Sequence, residues 1–147
     1  GARIMSLSDP SKKMSKSDPK GDIFLKDDMK TIRKKIMSAV TDMEGLVYYD
    51  PVNKPGISNL LTIYAALNDI SIEEAAKQFE GCTRYGDFKK AVADTVEREL
   101  GPFKARYEEI IASGEYLEVL KEGAKRANEI ANVTLKRVQN AVGLLVL

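Results

Sequence analysis

The stretch Phe88–Ile110, FKKAVADTVERELGPFKARYEEI, decides the fold class. Its apolar residues Phe88, Val92, Val96, Leu100, Phe103, Tyr107 and Ile110 recur every three or four positions, the spacing that lines them along one face of an α-helix. Gly101-Pro102 interrupts the run. Proline has no backbone N–H to give and its ring presses on the carbonyl one turn back, so the stretch reads as one kinked helix or two abutting ones. The same period returns from Tyr116 to about Val142, where Leu120, Ala124, Ala127, Ala131, Leu135, Val138 and Val142 are expected to face a core. Lys121, Lys125 and Lys136 share a flank with Glu118, Glu122 and Glu129, a mixed surface rather than a basic ridge.

Toward the N-terminus the helical pattern continues in shorter pieces. Ser71 stands three residues before Glu74, a capping box in which hydroxyl and carboxylate each satisfy an orphan backbone N–H, and a helix to about Phe79 follows from it. Another helix is expected from about Ile57 through Leu60, Leu61, Tyr64 and Leu67. Before it, Asp42 to Gly56 is dense in breakers and reads as a connection with turns. Gly56, Ser58 and Asn59 take structural roles there, as a turn entering a helix N-terminus. Asp27-Asp28 opens the first helix, which carries Met29, Ile32, Ile36, Met37 and Val40 on its apolar face and ends near Thr41, with Thr41 and Asp42 capping the connection. The expected fold is mainly α, a compact bundle of about five helices.

Composition narrows the chemistry. The 147 residues are 44% hydrophobic and 31% charged, an ordinary globular balance, and the longest apolar runs fall short of a membrane span. No signal-peptide order is visible, and a cytoplasmic address is expected. The chain contains one cysteine, Cys82, expected to be partly buried, and no histidine. Zinc sites and Ser-His or Cys-His nucleophiles are therefore excluded within it, and no protein-bound metal is expected. The charge is uneven: the first forty residues hold ten Lys/Arg against five Asp/Glu, the remainder thirteen against seventeen. The basic end attracts anions, whereas the acidic remainder argues against nonspecific coating of nucleic acid.

That basic end contains Arg3-Ile4-Met5-Ser6-Leu7, one short extended segment that reads as a strand taken from a larger sheet, and then KKMSKSDPKG, Lys12–Gly21. On its residues alone the decapeptide is a solvated linker, a localisation signal or a phosphate grip. Lys13 and Lys16, three apart among serines, can converge with the Ser15 and Ser17 hydroxyls on one multi-oxygen anion.

Lys13-Met14-Ser15-Lys16-Ser17 matches the KMSKS motif of class I aminoacyl-tRNA synthetases. Three blocks in order, GARIMSLSDPSKKMSKSDP, TIRKKIMSAVTD and KPGISNLLTIY, resemble the bacterial tryptophanyl-tRNA synthetases from their KMSKS strand to their C-terminus. The resemblance covers essentially the whole chain, with the tyrosyl branch as the nearest competitor.

The resemblance implies activation of tryptophan by ATP to tryptophanyl-adenylate with release of pyrophosphate, then transfer to tRNA(Trp). It implies that Lys13 and Lys16 are catalytic and hold the β- and γ-phosphates, that Ser15 and Ser17 supply donors, and that Met14 and Ile4 border the nucleotide. Mg²⁺ would arrive with ATP. Residues 1–22 would be the last strand and mobile loop of a Rossmann-type catalytic domain, and residues 23–147 a helical domain binding the tRNA anticodon region. The family's histidine- or asparagine-containing ATP motif and its tryptophan pocket have no counterpart here, so the chain reads as a fragment, expected to be inactive alone. The longer enzyme would be a homodimer.

No residue is assigned to base reading. Arg84, Tyr85, Lys89, Lys90, Lys121 and Lys125 are weighed against a solvated helix face, and Tyr48 and Tyr49 against half-buried loop positions. The apolar ending Leu144-Leu145-Val146-Leu147 is open to packing or association. A stand-alone helical RNA-binding or regulatory module is the alternative from another class.

Overall fold

The computed structural model describes residues 2–144. Five helices run in order: α1 (Met29–Met37), α2 (Pro55–Asn68), α3 (Ile72–Gln78), α4 (Tyr85–Ser113) and α5 (Glu115–Ala141). The mainly α expectation holds. No strand occurs among the described residues; the extended N-terminal segment makes one antiparallel bridge, Met5 with Lys13.

The chain divides into two units, Gly1–Lys104 and Ala105–Leu147. The boundary between them falls within α4, and residues 2–22 belong to the same unit as α1, α2 and α3.

The first unit holds the core. Ile32 and Ile36 of α1, Ile57, Leu60 and Leu61 of α2, Ala75 of α3 and Phe88, Val92 and Val96 of α4 are buried together with Leu7. Phe79 meets Phe88 edge-on at 4.7 Å between ring centroids and Tyr64 at 5.0 Å, a geometry that sets ring edge against ring face. Arg33 of α1 donates to Glu97 and Asp94 of α4, fixing the two helices across the core rim.

Local chemistry explains the ends. The Asp28 carboxylate accepts from the Thr31 N–H at the start of α1. Pro55 is the first residue of α2, where its missing N–H costs nothing, so this helix begins before the expected Ile57. The capping box at Ser71 and Glu74 has both of its hydrogen bonds, 3.1 and 2.9 Å. Pro102 lies inside α4, which continues as one helix through it.

Three expectations are corrected. Met37 and Val40 do not face the core: Met37, the last residue of α1, is exposed within the helix, and Val40 lies beyond the helix end, which comes before the expected Thr41. Phe103 and Tyr107, beyond Pro102, are half-exposed, so the α4 stripe buries only its first half, together with the partly buried Leu100. α5 has no buried residue: Leu120, Leu135, Val138 and Val142 are all exposed. An apolar stripe reports that a helix has two unlike faces, not that a partner covers one of them. Leu144 is exposed, and Leu145, Val146 and Leu147 lie outside the described residues. Cys82 is partly buried, as expected.

Candidate functional site

The basic loop stands on a built base. Ser6 N–H donates to the Lys12 carbonyl at 2.8 Å and Met14 N–H to the Ile4 carbonyl at 3.1 Å, so Ile4–Ser6 and Lys12–Met14 run antiparallel. Met5 and Lys13 face each other between those bonds as a non-hydrogen-bonded pair. The backbone N–H and C=O of Met5 therefore point to the opposite edge, where Asn59 of α2 meets both: Met5 N–H donates to Asn59 Oδ1 and Asn59 Nδ2 donates to the Met5 carbonyl, each at 2.8 Å.

A second fastening closes the loop's far end. The Asp18 carboxylate accepts from the hydroxyls of Ser6 at 3.0 Å and Ser8 at 2.8 Å, bonds that lower its pKa. Leu7 N–H donates to the Gly21 carbonyl, and Val40 N–H to the Leu7 carbonyl, both at 2.8 Å. Gly21 has no room for a side chain: a Cβ there would sit 2.0 Å from Ser6 Oγ and 2.2 Å from Asp18 Oδ2.

The residues proposed from the motif separate by position. Lys13, Ser15, Lys16 and Ser17 are exposed along the crest, with the Ser15 and Ser17 hydroxyls 2.8 Å apart. Ile4 and Met14 are brought together below it, half-buried, and line an apolar depression of about 230 Å³ with Ile23, Ile63, Leu67 and Val96. The crest thus offers ammonium and hydroxyl groups to an anion, and the depression offers a flat apolar surface. No cluster of His, Cys, Asp and Glu able to hold a metal occurs among the described residues. No described helix is long and apolar enough to cross a membrane.

The connection before α2 contains another lysine, in a contrasting setting. Lys54, 2% exposed, donates to Asp42 at 2.8 Å, Glu44 at 2.6 Å and the Tyr85 hydroxyl at 2.9 Å. Its ammonium also lies 4.8 Å from the centroid of the Tyr48 ring. Burial alone would push Asp42 up, but the hydrogen bonds from Lys54 and Tyr85 hold it down at about 2. Burial likewise opposes the charge on Lys54, and its two carboxylates outweigh it and raise the pKa. The motif reading passed over Lys54 and Asn59 as functional residues. Neither has a local signal, since their partners lie up to 31 and 54 residues away.

The residues weighed for tRNA contact are largely occupied. Tyr85 serves the Lys54 cluster, and its hydroxyl donates to Asp42. Lys89 donates to the Ala39 carbonyl at 2.7 Å, Arg84 pairs with Asp87, and Lys121 with Glu118. Lys90 and Lys125 are exposed. Tyr48 donates to Glu44, and Tyr49 is half-exposed.

Residues 2–101 match the family model described as "tRNA synthetases class I (W and Y)". The chain is 55% identical over 146 residues to a tryptophan–tRNA ligase of Bacillus subtilis (strain 168), covering 98% of this chain and 44% of that protein. A solved tryptophanyl-tRNA synthetase of Campylobacter jejuni superposes with a TM-score of 0.76 at 28% identity, over 98% of this chain and 44% of that one. The structure of the Campylobacter jejuni enzyme complexed with ADP and tryptophan gives a TM-score of 0.73 at 25% identity, over 97% and 44%. The chain therefore spans less than half the length of the relatives it matches. With the KMSKS lysines at the crest of a loop anchored at both ends, and a family match that runs through that loop into α4, the chain belongs to the class I tRNA synthetases of the tryptophan and tyrosine branch.

Proposed function

We propose that these residues are the part of a tryptophan–tRNA ligase that carries its phosphate-holding loop and its tRNA-binding helices. The observation that carries this reading is the likeness to a ligase of that name along 98% of the chain, loop included. The relatives reported above bear the tryptophan name, which is why the tyrosyl reading is set aside. The stand-alone RNA-binding module has no observation of its own in its favour.

In the longer protein, tryptophan attacks the α-phosphorus of ATP, supplied with Mg²⁺ as substrate; the carboxylate oxygen forms the new bond and pyrophosphate leaves. Lys13 and Lys16 meet the β- and γ-phosphates and offset the charge that accumulates on pyrophosphate. A cation whose contact tightens only as that charge develops lowers the barrier, where uniform binding would not. Ser15 and Ser17 add hydroxyl donors, and Ile4 and Met14 give the adenine an apolar surface. The aminoacyl group then passes from the adenylate to a ribose hydroxyl at the 3' end of tRNA(Trp), whose anticodon region the helices contact, and AMP leaves. Unstacked bases are read by stacking and edge hydrogen bonds, which suits helices with little excess positive charge. The protein works in the cytoplasm, as a homodimer.

Lys16→Ala in the full-length protein is expected to slow adenylation by roughly 10² to 10³, about 3 to 4 kcal/mol of barrier. Tryptophan-dependent ATP–pyrophosphate exchange measures it, with the 147-residue chain as an inactive control. An unchanged rate in the variant refutes the assignment.

A further inference from the structure

We propose that Asn59 is a positioning residue for the loop lysines, setting the place of Lys13 through the backbone of Met5. The inference rests on the function proposed above. Its basis is the hydrogen-bond pattern on both edges of one residue. Met5 uses its N–H and C=O on the Asn59 amide, 54 residues distant, and turns its other edge to Lys13. Opposed residues of a non-hydrogen-bonded antiparallel pair have Cα atoms about 4.5 Å apart, so a shift or tilt at Met5 passes directly to Lys13.

Asn59 suits this task because its side-chain amide reproduces a peptide group. One donor and one acceptor engage one residue, which fixes position along the strand and rotation about it. A single hydrogen bond would fix neither. The amide is itself held: Asn59 is 4% exposed, between the buried Leu60 and the buried Ser58, whose hydroxyl accepts from Asp50 N–H. At the entry to α2, Gly56 abuts the Val40 carbonyl so closely that a Cβ would lie 2.0 Å from it, and the next backbone group, Val40 N–H, holds Leu7. The helix that presents Asn59 is therefore registered against the same segment that Asn59 grips. A displacement of about 1 Å at a reacting group can cost on the order of 10² in rate, so a side chain with no contact to substrate can still set kcat.

The test uses the full-length protein with Asn59→Asp, which keeps the acceptor for Met5 N–H but sets a carboxylate against the Met5 carbonyl. Asn59→Ser, able to make only one of the two bonds, is the second variant. Pyrophosphate exchange is measured alone and in a Lys13→Ala background, with thermal unfolding alongside. Expected is a fall in kcat of about 10- to 100-fold with the KM for tryptophan within about twofold, shrinking to less than about threefold once Lys13 is gone, because two residues acting through one contact are not additive. Equal losses in both backgrounds, or variants that lose only folding, overturn the positioning role. If Lys13→Ala or Lys16→Ala itself leaves exchange unchanged, the underlying function fails instead, and the two failures are told apart.

Discussion

The crest at Lys13–Lys16 and the connection at Asp42–Lys54 both read as loops, the first basic and the second with Asp42, Glu44 and Asp50 against one lysine, and the structure puts their lysines to opposite uses. Lys54 is enclosed by Asp42, Glu44 and two tyrosine rings, so its charge is consumed within the molecule. Lys13 and Lys16 remain at the surface, where an ammonium keeps its water until a stronger anion replaces it. The lesson is that lysine content alone says little about function. The carboxylates within reach decide it.

The contrast breaks most visibly at the enclosed lysine. Lys54→Met leaves the partly buried Asp42 beside Glu44 with no cation, and is expected to destabilise the fold by about 3 kcal/mol, near the low end for a broken buried pair because both carboxylates keep some contact with water. Chemical denaturation checks it. The acid limb sharpens the point. With its folded pKa at about 2, below the ordinary carboxylate value, Asp42 contributes stability above pH 4 that is lost as pH falls toward 2. Lys54→Met should lose that component of the acid limb.

A smaller effect is expected at the loop's anchor. Gly21→Ala forces a methyl against Ser6 and Asp18 and should cost about 1 to 3 kcal/mol, as overpacking does, readable by thermal unfolding. Smallest is Lys16→Ala, whose stability should stay within about 0.5 kcal/mol of wild type although its adenylation rate falls. A Lys16→Ala protein as unstable as Lys54→Met would erase the distinction between the two segments.

Legibility in the sequence followed the range of the interactions. The Ser71–Glu74 capping box, the Asp28 cap and the face of Ile32 and Ile36 are decided within one or two helical turns, and each was readable. The exposure of α5 was not, because periodicity carries no information about a partner surface. The motif named Lys13 and Lys16 from five adjacent letters. It was silent on Asp18 and Gly21, and Asn59 was legible only as part of the entry to α2; their roles exist only once separate backbone segments meet.

The Met5–Asn59 contact also bears on the order of folding. The Ile4–Ser6 and Lys12–Met14 segments are close in sequence and can find each other early, but the Met5 edge has no partner until residue 59 returns as part of a formed α2. Closing so long a stretch costs entropy that only the assembled core repays. The Met5 amide hydrogen is thus a natural reporter: its exchange with solvent should track the docking of α2, not the pairing of the strand beside it.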